Sequence, residues 1–211
     1  VDYTWGQVAD QVNRMAAYLQ SLNLPEKTHI GILGKNSAHW IMADLAIWRA
    51  GHVSIPLYPT LNAETAEYVL DNSDSKMIFI GKMDELWRVV EKGIPTSMPT
   101  ITLPLAPQLA HAKKWDDIVA ATGPTQNPVK RSKDEMATML YTSGSTGKPK
   151  GVMISFNAMI SALRGTSKVM TFSNSDRMIS YLPLAHAAER AILETGSLFY
   201  GFHVYFSFGL D

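Results

Sequence analysis

Tyr141-Thr-Ser-Gly-Ser-Thr-Gly-Lys-Pro-Lys-Gly151 follows the apolar segment Met136 to Leu140, and its reading decides the fold. Three glycines, four Ser/Thr hydroxyls and two lysines fall within these eleven positions. An apolar strand therefore runs out into a loop that cannot be regular structure. Glycine permits positive φ and a close approach of backbone to ligand. Successive N–H groups and hydroxyls in such a turn form an anion-binding concavity, to which a lysine adds a point charge. The chemistry fits a polyphosphate. It is not a Walker A loop: Gly144 and Gly147 are separated by two residues, and Lys148 is followed by Pro149 rather than Ser or Thr. Read blandly, the same composition is a flexible surface loop.

From Thr142 through Gly151 the run resembles the phosphate loop of the adenylate-forming (AMP-binding) enzymes, a superfamily of acyl-CoA synthetases, aryl-CoA ligases, luciferases and peptide-synthetase adenylation domains. Ala46-Ile-Trp-Arg-Ala-Gly-His-Val-Ser-Ile-Pro-Leu-Tyr-Pro59 is similar to an early block of that family. Ser180-Tyr-Leu-Pro-Leu-Ala-His-Ala-Ala-Glu-Arg190 resembles the block that follows the loop in long-chain fatty acyl-CoA synthetases, and it alone chooses among subfamilies. Phe156 departs from the family pattern, where histidine is commoner.

The resemblance implies an ATP-dependent fatty acid–CoA ligase that forms acyl-AMP and then acyl-CoA. It implies that Thr142, Ser143, Gly144, Ser145, Thr146, Gly147, Lys150 and Gly151 line the triphosphate of ATP. Ser145 would help to hold Mg²⁺, and coenzyme A and a fatty acid would be co-substrates. Lys150 and His186 would be the catalytic residues, His186 beside the acyl carboxylate and the adenylate phosphate. Lys148, at a free position of the pattern, reads as solvated. Glu189 and Arg190 read equally well as an ordinary ion pair at the start of a helix. Two other functions stay open: an aryl-, short-chain- or amino-acid-adenylating enzyme of the same superfamily, and a non-catalytic nucleotide-binding module.

Composition sets outer bounds. The 211 residues are enough for a proper core. Nineteen basic residues balance nineteen acidic ones, which gives no electrostatic reason to expect nucleic acid. The chain has no cysteine, which excludes disulfides and thiolate metal sites and is compatible with a cytoplasmic location. No uncharged apolar run reaches the roughly eighteen residues of a membrane span, although the resemblance leaves room for a peripheral membrane contact of the full-length enzyme. The absence of Gly-x-Ser-x-Gly and of cysteine agrees with chemistry that needs no covalent nucleophile.

The flanking sequence alternates short apolar strands with helices of about ten residues, which predicts βαβ units in a layered α/β/α fold with a largely parallel sheet. Thr4 and Gln7 form a capping box for an opening amphipathic helix. Strands are expected at 29–33, 53–57, 77–80, 152–154, 178–182 and 204–208, and helices at 63–70, 84–92, 157–169 and 187–198. In the 84–92 helix, Leu86, Val89 and Val90 form the apolar side. Residues 93–107, with four prolines, are expected to hold an edge strand and a loop. The predicted organisation is a first α/β lobe (1–122), a linker (123–135) and a phosphate-loop lobe (136–211). Together they would form a partial N-terminal AMP-binding domain that lacks the C-terminal domain, is inactive alone, and self-associates through apolar surface near Gly196 to Leu210.

Overall fold

The computed structural model describes residues 1–142 and 147–207. Seven strands form one sheet. They are β1 (His29–Leu33), β2 (Val53–Leu57), β3 (Met77–Ile80), β4 (Thr100–Thr102), β5 (Lys113–Lys114), β6 (Met136–Thr142) and β7 (Lys150–Ser155). Their order is β5-β4-β3-β1-β2-β6-β7, with every neighbour parallel except the antiparallel pair β6–β7. The central strands are continuous apolar runs because both faces are covered. Ile30 and Ile32 of β1, with Met77 and Phe79 of β3, pack beneath helices α1 (Trp5–Ser21), α2 (Ala38–Arg49) and α5 (Trp115–Ala121). Leu33, Ile55, Leu57, Ile78 and Ile80 face the other way, against α3 (Ala63–Asn72). The result is the expected α/β/α layering.

Local signals place the helices. Thr4 and Gln7 make both bonds of the capping box at the start of α1. Ser37 caps α2, its Oγ accepting from the Trp40 N–H at 3.1 Å, and Ser155 caps α6 (Phe156–Thr166). Each satisfies an N–H that the first helical turn leaves without a partner.

Two expectations need correction. The 84–92 helix is only α4 (Trp87–Val90) followed by a 3₁₀ turn, Glu91–Gly93. Val90 is buried but Leu86 and Val89 are exposed. A Cβ on Gly93 would run into the carbonyl of Ala63, so the close approach of the start of α3 requires glycine where this turn ends. The strand in 93–107 is also not an edge: β4 pairs with both β3 and β5. The edge on that side, Lys113–Lys114, carries no apolar signal, and its charge suits an exposed edge.

Residues 123–135 run along α1 and α2. The Thr125 hydroxyl donates to Gln20 Oε1 at 2.7 Å, the Val129 N–H donates to the Arg49 carbonyl at 3.0 Å, and Arg131 Nη1 donates to the His52 carbonyl at 2.7 Å. Beyond them β6 joins β2, with Thr138 opposite Ser54. Trp48 Nε1 donates to the Ala137 carbonyl at 2.8 Å. The main sheet thus runs unbroken from residues 29–33 to the hairpin that carries the glycine-rich loop.

The last part is a separate two-stranded parallel sheet of β8 (Arg177–Ser180) and β9 (His203–Phe206). The crossover between them begins with a turn at 183–186 and then continues as a helical run that changes pitch. It runs as α7 (Ala187–Glu189), a π-helical segment Arg190–Glu194, and α8 (Thr195–Tyr200), which ends at Gly201 with φ +74°. Such π segments are rare and often mark functional positions.

Candidate active site

The glycine-rich run lies across the β6–β7 hairpin. Thr142 is the cross-strand partner of Lys150, and Tyr141 of Gly151, so the first and last residues of the predicted site are neighbours. Gly151 has a packing reason of its own: a Cβ there would sit 2.6 Å from Met139 Sδ and 3.2 Å from Tyr141 Cζ. Gly147 is required for a different reason. Its φ is +90° and, among the described residues, nothing lies within 4 Å of a would-be Cβ, so the constraint is backbone conformation. Ser143, Gly144, Ser145 and Thr146, including the expected Mg²⁺ position at Ser145, lie outside the described residues.

The two lysines of the run differ in surroundings. Lys148 is exposed, as expected, but its Nζ lies over the Tyr68 ring, 5.1 Å from the centroid. Lys150 is exposed and makes no ion pair among the described residues. Lys148 makes none either, so the contact with Tyr68 is what sets the two lysines apart. A cleft of about 690 Å³ opens beside the loop, between Gly147, Lys148 and the α3 residues Glu64, Tyr68 and Asp71. The hairpin is fixed to α3 from below: Tyr141 Oη donates to Asn72 Oδ1 at 2.8 Å. Burial pushes the Tyr141 phenol above its ordinary pKa, and the neighbouring Tyr68 adds to the effect.

His186 comes from the other sheet. The Pro183-Leu184-Ala185-His186 turn is closed by the His186 N–H donating to the Pro183 carbonyl at 2.8 Å. Leu184 and Ala185 are buried and His186 is exposed. His186 is also the N-cap of α7: its Nδ1 accepts the Ala188 N–H at 3.2 Å. Nδ1 is thereby occupied as an acceptor, which leaves Nε2 of the exposed ring for a ligand. Among the described residues no hydrogen bond or ion pair joins His186 to Thr142, Gly147, Lys150 or Gly151. The structure brings the hairpin residues together and holds His186 on a neighbouring, independently anchored turn.

The Glu189–Arg190 ion pair is not formed. Glu189 instead accepts from the Ser180 hydroxyl at 2.8 Å. Burial raises the pKa of its carboxyl, and that hydrogen bond works against the rise. Arg190 turns into the core, where Nη2 donates to Asp44, Nε to Glu194 Oε2 at 3.1 Å and Nη1 to Thr138 Oγ1 at 2.6 Å. Its guanidinium also lies over Trp40 and Trp48, 5.5 and 5.4 Å from the ring centroids. Phe156, the departure from the family pattern, packs edge-on against Trp48 at 5.3 Å. Asn36, Asp44 and Glu194 were invisible as site residues. Asp44 did leave one signal: a lone carboxylate in the apolar helix 40–48 demands a buried cation.

A family-wide sequence profile described as AMP-binding enzyme matches residues 1–209. The chain belongs to the AMP-binding enzyme family. Among relatives in this family, Long chain acyl-CoA synthetase 4 of Arabidopsis thaliana is 30% identical over 209 residues, covering 90% of this chain and 31% of that protein. Fatty acyl-CoA synthetase A of Dictyostelium discoideum is 32% identical over 212 residues, covering 91% of this chain and 31% of that protein. The chain therefore spans 31% of the length of both relatives. ATP-bound MatB from Rhodopseudomonas palustris superposes with a TM-score of 0.80 at 22% identity, over 98% of this chain and 40% of that one. The luciferase-like enzyme of the mealworm Zophobas morio gives 0.84 at 19% identity, over 99% and 48%. These two likenesses establish the AMP-binding fold. Among the described residues, no helix is long and apolar enough to cross a membrane.

Proposed function

We propose that the whole protein to which this chain belongs activates a long-chain fatty acid for transfer to coenzyme A. A carboxylate oxygen of the acid attacks the α-phosphorus of ATP, and the bond to pyrophosphate breaks to give acyl-AMP. The thiol of coenzyme A then attacks the acyl carbon and AMP leaves. The observation that carries this reading is the Pro183-to-Arg190 block, taken with relatives whose names specify long-chain or fatty acyl-CoA synthetases.

The residues present suit a triphosphate. Lys150 is an exposed cation with no ion pair among the described residues, and Gly147, three positions earlier, exposes bare backbone. Thr142 and Gly151 flank them on the hairpin, and Ser143, Gly144, Ser145 and Thr146 complete the run in sequence. Lys150 would stabilise charge as pyrophosphate departs, which is catalysis by positioning and electrostatics. His186 would present Nε2 to the acyl carboxylate or adenylate phosphate. The described residues contain no cluster of three His, Asp or Glu able to hold a metal. Mg²⁺, when bound, would neutralise phosphate charge, with the Ser145 hydroxyl as a ligand.

Pyrophosphate exchange by the full-length protein, with acids of graded chain length, tests the reading. Each buried methylene is worth about 0.8 kcal/mol, so exchange should rise steeply from acetate to palmitate. Faster exchange with acetate or benzoate than with palmitate would overturn the long-chain assignment.

A further inference from the structure

Asn36 lies three residues beyond β1, on a rigid shelf. A Cβ on Gly34 would come 2.9 Å from the Gly81 backbone, so the ends of β1 and β3 touch. The Lys35 N–H donates to the Lys82 carbonyl at 2.8 Å. On the other side Ser37 caps α2, which leaves Asn36 little backbone freedom. From this shelf one carboxamide makes three hydrogen bonds to residues about 145 positions later. Nδ2 donates to the Ser180 hydroxyl at 2.8 Å and to the Leu182 carbonyl at 2.6 Å, and Oδ1 accepts the Leu184 N–H at 2.8 Å.

The pattern brackets Pro183. The side-chain amide meets the carbonyl of one residue and the N–H of the residue two further on, as a neighbouring strand would. Proline supplies no N–H of its own between them. The contact also propagates past His186, because the same Ser180 hydroxyl that accepts from Asn36 donates to Glu189 Oε1 at 2.8 Å. Asn36 thus holds the chain on both sides of His186: directly at Leu182 and Leu184, and through Ser180 at Glu189. Among the described residues its carboxamide makes no hydrogen bond to the glycine-rich hairpin or to the His186 ring.

We propose that Asn36 is a positioning residue for His186, fixing the histidine-bearing turn against the rigid end of the main sheet. The proposal rests on the role given to His186 above. Small misplacements of a group that acts on the reacting atoms can cost about 100-fold in rate, so a KM-preserving loss of kcat is the signature.

The test is a cycle of Asn36→Ala, His186→Ala and the double variant in the full-length protein, read by pyrophosphate exchange with palmitate. Asn36→Ala should lower kcat by about 10- to 100-fold with the KM for ATP within about 2-fold. The double variant should be no slower than His186→Ala alone. Effects that multiply, or an unchanged kcat in Asn36→Ala, would sink the positioning role while leaving that of His186 intact. A silent His186→Ala would instead sink the reading of His186, and the proposal with it. Should Asn36→Ala not fold, the near-isosteric Asn36→Asp removes both amide donations and completes the same cycle.

Discussion

Arg190, four residues after His186, donates from Nη2 to Oδ2 of Asp44 in α2, 146 residues earlier in the chain. Both side chains are buried, and Glu194, one π-helical turn on, is buried with them. Two carboxylates facing one guanidinium leave an excess of negative charge unless one carboxyl keeps its proton. Asp44 Oδ1 and Glu194 Oε1 both lack a hydrogen-bond donor among the described residues. Burial favours the protonated form of Glu194, and that proton would be available to Asp44.

Removing Asp44 should therefore be costly. Breaking a buried charge pair by deleting one partner typically destabilises by about 3–5 kcal/mol. Asp44→Ala should lower the unfolding free energy by roughly that amount in urea titrations. A loss below about 1 kcal/mol, typical of a surface pair, would contradict the buried clasp.

Glu194 predicts a pH dependence. Burial first, and the Asp44 charge second, hold its carboxyl well above the usual 4.5, with Arg190 offsetting part of the rise. A folded-state pKa raised above the unfolded value contributes stability below pH 4.5, and that contribution is lost as pH rises toward the folded value. Glu194→Gln keeps an oxygen for Arg190 and a donor for Asp44 but does not titrate. The variant should gain stability relative to the parent as pH climbs from 4.5 toward the raised folded-state value. A pH-independent difference would show that Glu194 carries no proton.

At the hairpin the two lysines should separate. A charge-assisted hydrogen bond to phosphate is worth about 1.5–3 kcal/mol, or about 10- to 150-fold in rate. Lys150→Ala in the full-length protein should slow adenylation by that factor. Lys148→Ala, which loses an exposed contact with Tyr68, should do much less. Equal, small effects of both would remove the phosphate-loop assignment.

Gly151→Ala should destabilise by about 1–3 kcal/mol through overpacking, since its Cβ would press on Met139 Sδ. The obstacle is a flexible side chain, so Met139→Ala in the same molecule should recover part of the loss. Thermal melts of the single and double variants decide it, and strictly additive losses would place the strain elsewhere.

Several large apolar side chains face solvent: Met153 on the edge strand β7 at 72% exposure, Phe199 at 65% and Ile179 at 62%. Exposed apolar surface of this kind favours association. Sedimentation of the 211-residue chain should show dimers or larger species, and a clean monomer at high concentration would count against it.

What the sequence by itself determined is local in the chain or repetitive along it. Thr4 and Gln7 bond across three positions, the runs 29–33, 53–57 and 77–80 are apolar throughout, and the glycine-rich hairpin carries its chemistry in consecutive residues. Such signals depend on backbone sterics and on neighbours a few residues away. The tertiary structure alone decided the rest. Beside Glu189, Arg190 reads as half of a surface ion pair; only the packing of α2 against the helical crossover presents Asp44 as its partner. Asn36 reads as one of two candidate caps, with Ser37, for the helix after 29–33; only the fold brings it to the turn that precedes His186. Buried charges and amides take whichever partner desolvation leaves within reach. That partner is set by sheet order and helix placement, which no short stretch of sequence encodes.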